Sequence, residues 1–178
     1  RTAMRSISRP IRESPSSAGA IWKMWQARAG ERVQRALRWR ADHGYVAVDL
    51  PPDLARRFYQ GYANKTLWPL FHYFYIYTVH NDQYWQAYKK VNALFLEKVL
   101  EVATNRDILW IQDYHLMLLP MMVREHLPSI RIGFFLHIPF PSYELFRTLE
   151  NSDQILNGLL GSDLIGFHTS NFLIHFIS

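Results

Sequence analysis

Three short runs without polar alternation stand out in the second half of the chain: ILWIQ (Ile108 to Gln112), IGFFL (Ile132 to Leu136) and LIGF (Leu164 to Phe167). Brief, and rich in β-branched and aromatic residues, they predict strands buried on both faces of a parallel sheet. Helical patterns separate them over Pro120 to Leu127, Tyr143 to Leu149 and Ser152 to Leu160, the last with Ser152 as N-cap and Gly161 just past its end. Upstream, Asp82 to Ala103 places Trp85, Tyr88, Val91, Phe95, Val99 and Val102 on one apolar stripe, which predicts a longer helix. PPDLARRFYQGY opens another, with prolines at its mouth and Leu54, Phe58 and Tyr62 at helical spacing. YVAVDL (Tyr45 to Leu50) alternates like a strand. The alternation of strand and helix predicts an α/β class: a Rossmann-like doubly wound, mostly parallel sheet in one domain over residues 1–178. Within it, residues 1–44 form a basic segment that is hard to read, with loop punctuation at Pro10, Pro15 and Ser14 to Gly19 before a helical stretch from Ile21 to Arg40. Residues 45–178 form the α/β core.

Composition narrows the function classes. The longest apolar stretch, Leu116 to Val123, falls far short of the ~20 residues of a membrane-spanning helix, so no membrane partner is expected. The chain has no cysteine, which excludes a disulfide framework, a thiolate metal site and a thiol nucleophile, and suits a reducing, cytoplasmic setting. The net charge of +5 is uneven, because Arg1 to Arg57 carry 12 of the 20 Lys and Arg against 5 acids. Such a segment suits a phosphorylated small molecule, a nucleic acid or simply a solvated helix face. No nucleic-acid motif or aromatic stacking pattern accompanies it, so nucleic acid is not expected as a partner. The Arg- and Ser-rich start also has the composition of a transit peptide, without an amphipathic period.

Each predicted strand stops at a polar residue: Asp113, His137 and His168. Parallel sheets bind ligands outside the carboxyl ends of their strands, so these three side chains predict a site able to hydrogen-bond sugar hydroxyls or handle protons. Singly, Asp113 reads equally as a helix cap, and either histidine as a core residue with a hydrogen-bond partner. Together at one sheet edge they favour a site.

FYQGYANKTLWPLFHY, YWQAYKKVNALFLEKV, DILWIQDYHLMLLP, IGFFLHIPFPSYELFRTL and ILNGLLGSDLIGFHT, in that order and spacing, make the chain from about Tyr59 onward resemble the trehalose-6-phosphate synthases. These are retaining glycosyltransferases of GT-B architecture, and the resemblance covers about two thirds of the chain. It implies transfer of glucose from UDP-glucose to glucose 6-phosphate, giving trehalose 6-phosphate, with no metal or redox cofactor. It places the acceptor on Tyr59, Trp68 and Asp113, whose carboxylate and aromatic faces suit sugar hydroxyls and a pyranose ring. It places His137 at the reaction centre against the donor glucose, and associates Ile138 and Trp68 with selection of the α-anomer. Retention by front-face attack requires no glycosidase-type carboxylate pair. His168 reads as support for the strand end, and His115 as structural.

Near the start, SRP (Ser8 to Pro10) and SSAGA (Ser16 to Ala20) resemble the family's first strand end and donor loop. On that alignment Arg9 pairs with the acceptor phosphate and Gly19 lets backbone N–H groups approach the donor; surface arginine and loop glycine are the plain alternatives. The usual glycine pair is Gly19-Ala20 here, ENSDQ lacks the proline and arginine usual at that point, and SNFLIHFIS departs from the expected pattern of charge. The family's C-terminal donor domain is expected to lie outside these 178 residues, so the chain by itself is expected to be inactive. The alternative is a non-catalytic regulatory homologue that binds sugar phosphate; a homo-oligomer is left open.

Overall fold

The computed structural model describes residues 46–178. Among the described residues three parallel strands form one sheet in the order β1-β2-β3: β1 (Ile108–Gln112), β2 (Arg131–Leu136) and β3 (Leu164–Phe167). Ile108 aligns with Arg131, and Gly133 with Leu164, so all three strands end at the same edge. The predicted strands are therefore present, with one residue added at the start of β2.

Helix α1 runs from Pro52–Ala55 through a π-helical stretch, Arg56–Leu67, into Trp68–Phe71. It ends in a Schellman turn, with Phe74 N–H bonded to Pro69 O at 2.8 Å and Tyr73 N–H to Leu70 O at 3.1 Å. Tyr73 holds the left-handed position usual for glycine, at φ 65°. Helix α2 (Asp82–Val102) starts at Asn81, whose side chain accepts from the N–H groups of Gln83 and Tyr84. Its predicted stripe is buried or half-buried except Val102, which is exposed at the last turn. Helix α3 (Leu119–His126) links β1 to β2; α4 (Tyr143–Phe146) and α5 (Ser152–Leu159) link β2 to β3. Helix α6 (Ser170–Ile177), not anticipated from the sequence, is capped by the Thr169 hydroxyl, which accepts from Phe172 N–H.

Several expectations need correction. Val46 to Leu50 form no strand: among the described residues nothing pairs with them, and a run of this length has no stability without a ladder partner. Tyr45 lies outside the described residues. Ser152 is the first helical residue of α5, and Asn151 is the cap position, without a side-chain capping bond. The sheet is not buried on both faces among the described residues. Leu109, Ile111, Ile132, Phe134 and Leu136 point into the core with α2, α3 and α5, which pack side by side. On the other face Ile108 and Trp110 are each 40 % exposed. Trp110 lies across Gly133, where a Cβ would sit 2.3 Å from its ring, so glycine permits this close approach.

At the sheet edge opposite the strand ends, Arg124 holds the start of the sheet. Its guanidinium donates to the carbonyls of Gly161, Pro128 and Ile130 and pairs with Asp163 at 2.7 Å. Asp163 also accepts from Ile132 N–H at 2.7 Å, which holds its carboxyl below the ordinary range, with the Arg124 hydrogen bond adding to the effect.

Candidate active site

Parallel register carries Asp113, His137 and His168 to one edge, as the strand ends predict. Asp113 N–H continues the ladder to Phe135 O at 2.8 Å, and Asp113 O accepts from Leu116 N–H at 3.1 Å. Between these bonds the backbone takes φ 72°, ψ 167°, a region that only glycine adopts at low cost. The turn aims the carboxylate across to the next strand end, where Oδ1 accepts from His137 N–H at 3.1 Å. Oδ2 has no hydrogen-bond partner among the described residues and is the oxygen left for a ligand hydroxyl.

The His137 ring is exposed and packs on Phe135 at 4.8 Å and His168 at 5.5 Å, with its Nε2 2.6 Å from Gln112 Oε1. Ile138 is buried directly after it. His168 also meets Phe135 edge-on at 5.1 Å, so it supports the His137 ring from the neighbouring strand.

The π-helical stretch of α1 decides which of its side chains face the site. Tyr59 and Trp68 are nine residues apart. In an α-helix nine residues make about two and a half turns and would set the two on opposite sides. With bonds reaching to the fifth residue, as from Trp68 N–H to Ala63 O, nine residues complete about two turns and both face the same way. Burial along this stretch repeats every four residues: Arg56, Gln60, Asn64 and Trp68 are exposed, Phe58, Tyr62 and Thr66 are buried, and Tyr59 is half-buried beside the exposed row.

Two contacts fasten that face to the loop following β1. The Tyr59 ring stacks on His115 at 5.4 Å with 7° between planes, and Tyr114 Oη donates to Asn64 Oδ1 at 3.0 Å. Tyr59 therefore stands two residues from Asp113 along this loop, whereas Trp68 lies one helical turn beyond Asn64, against His72 and Phe74. Trp68 is 40 % exposed, lies against His72 at 4.1 Å, and opens onto a shallow groove lined by Asn64, Lys65, Pro69, Phe74 and Tyr77. The loop is anchored from below by Tyr88, whose buried hydroxyl donates to Tyr114 O at 2.7 Å and accepts from Met117 N–H at 3.1 Å. Asn92 adds a bond to His115 O at 3.2 Å.

Burial sets the protonation of this loop. It lowers the His115 pKa, against the opposing pull of the Asp113 charge, and so keeps the ring neutral. Burial, reinforced by Asp113, pushes the Tyr114 phenol far above its usual value and holds it as a hydrogen-bond donor. The assembled groups are a carboxylate with a free oxygen, an exposed imidazole, and aromatic faces on one helix side. They suit binding of a polyhydroxylated ring. Arg9 and Gly19 lie outside the described residues. Sequence reasoning missed Asn64, Tyr114 and Gln112, although all three sit inside the quoted motifs; the four-residue spacing of Arg56, Gln60 and Asn64 was a signal for Asn64, and none marked the other two.

Residues 6–178 match the profile of glycosyltransferase family 20. The chain is 43 % identical over 145 residues to an Aspergillus fumigatus protein named alpha,alpha-trehalose-phosphate synthase [UDP-forming] 1, covering 79 % of this chain and 28 % of that one. Among solved structures it resembles an E. coli chain described as trehalose-6-phosphate bound with UDP-2-fluoro glucose (39 % identity, TM-score 0.70, 72 % of this chain and 28 % of that one). It also resembles a UDP-forming alpha,alpha-trehalose-phosphate synthase from Burkholderia xenovorans in complex with glucose-6-phosphate (32 %, TM-score 0.67, 70 % and 28 %). The chain thus spans less than a third of the length of these relatives.

Proposed function

The chain belongs to glycosyltransferase family 20, and from that premise we propose that it supplies the acceptor side of a retaining glucosyltransferase that makes trehalose 6-phosphate from UDP-glucose and glucose 6-phosphate. Its fold is the N-terminal Rossmann-like domain of the GT-B architecture. In this reading Tyr59 and Trp68 offer ring faces to the acceptor, the free oxygen of Asp113 takes one of its hydroxyls, and His137 meets the donor glucose. Ile138, the buried residue after His137, and Trp68 restrict the anomer that fits. Arg9 takes the acceptor phosphate and Gly19 the donor phosphates. The reaction calls for no metal or redox cofactor, because charge on the departing diphosphate is met by basic side chains of a donor domain. The cysteine-free composition leads us to place the protein in the cytoplasm.

The observation that carries this reading is the 3.1 Å bond from His137 N–H to Asp113 Oδ1. It ties the acceptor carboxylate to the main chain of the residue that carries the donor-side imidazole, and so keeps the two residues adjacent, as transfer between two bound sugars requires.

Calorimetric titration of the chain with glucose 6-phosphate, alongside an assay of UDP release from UDP-glucose, tests it. We expect saturable binding that weakens at least about tenfold in Asp113→Ala, since a charged hydrogen bond contributes about 1.5–3 kcal/mol. Turnover is expected only when a donor domain is joined to the chain. A folded chain without affinity for glucose 6-phosphate would overturn the acceptor assignment, and turnover by the chain alone would show the donor contacts to be misplaced.

A further inference from the structure

Gln112 is the last residue of β1, and its side chain stands on the same sheet face as Trp110, Phe135 and His168. Its Oε1 lies 2.6 Å from His137 Nε2. The next residue, Asp113, takes the backbone N–H of the same histidine at 3.1 Å. The last residue of β1 and the residue after it thus grip His137, one by its ring and the other by its main chain. An exposed histidine one residue beyond a strand would otherwise exchange among rotamers, and ring contacts at 4.8 Å and 5.5 Å limit this without selecting either nitrogen. With the carboxamide oxygen, which can only accept, turned towards the ring, the imidazole carries its proton on Nε2. Nδ1 is then the ring nitrogen left to a ligand and, while the ring is neutral, an acceptor for a hydroxyl.

We propose that Gln112 is a positioning residue that locks the His137 ring through Nε2–H···Oε1 and thereby presents Nδ1 to the donor sugar. The last step rests on the function proposed above; the lock itself does not. The titratable groups facing His137 are Asp113, through its main-chain bond, and His168; Gln112 and Phe135 are neutral.

Nitrogen NMR of the chain, with no sugar present, tests the lock. In the unaltered protein a His137 Hε2 proton should be protected enough from solvent exchange to be seen, with Nδ1 bearing no proton at high pH. In Gln112→Met, which conserves length without an oxygen, that proton signal should vanish while the His168 and His115 signals persist. In Gln112→Glu it should return, and the His137 titration midpoint should rise by about one pH unit or more, because a carboxylate now faces the ring. Absence of the Hε2 signal in the unaltered protein, or equal His137 titration in that protein and Gln112→Glu, would overturn the lock. If the lock is present but glucose 6-phosphate does not bind, the failure lies with the functional reading. If sugar binds and the lock is absent, it lies with Gln112.

Discussion

Asp113 combines a ligand role with a strained backbone, and two substitutions separate them. At φ 72° and ψ 167° a side chain costs about 1–3 kcal/mol, which Asp113→Ala retains and Asp113→Gly releases. Glycine also loses about 0.5–1 kcal/mol more than alanine through backbone entropy of the unfolded chain. Both variants forfeit the bond from His137 N–H, so that contribution cancels between them. Asp113→Gly should therefore be more stable than Asp113→Ala by about 1 kcal/mol, and by up to about 2.5, whereas at most positions the order is the reverse. Both should lose affinity for glucose 6-phosphate to a similar extent, about 10- to 150-fold, because both lack the carboxylate. Urea unfolding followed by tryptophan fluorescence measures the first quantity, provided the denaturant slope is the same for both. Calorimetry measures the second. An alanine variant at least as stable as the glycine variant would refute the strain; undiminished affinity in either would refute the ligand role.

Two further outcomes follow from the same geometry. Tyr88→Phe leaves Tyr114 O and Met117 N–H buried without their partner and should cost about 2–4 kcal/mol in urea unfolding, with weakened glucose 6-phosphate binding because the Asp113 loop loses its anchor. Asp163 has its carboxyl held low by Ile132 N–H and Arg124, so its stabilising contribution is present above the unfolded carboxylate value of about 3.9 and is lost as pH falls through the lower folded value. Thermal unfolding between pH 6 and pH 2.5 should accordingly decline more steeply in the unaltered chain than in Asp163→Asn, and parallel curves would remove Asp163 from the acid response.

Sequence by itself determined much of this protein. Strand runs at Ile108, Ile132 and Leu164 are legible because a buried strand needs an unbroken apolar stretch, and a parallel sheet then forces Asp113, His137 and His168 to one edge. The motifs around Tyr59, Trp68, Asp113 and His137 identified the family, because several dense stretches in a fixed order do not arise by chance. Tertiary structure decided what depends on register and on neighbours distant in sequence. Val46 to Leu50 alternate as a strand would, yet a strand exists only where another chain segment offers its hydrogen bonds. The π-helical register over Arg56–Leu67, which sets how far apart Tyr59 and Trp68 face, and the bond from Val79 N–H to the Lys65 carbonyl within it appear only in the folded chain. The left-handed turn at Asp113 and the grip of Gln112 on His137 are equally invisible in a string of letters. Both arise from pairing residues more than twenty positions apart, and such contacts are fixed only when the sheet closes.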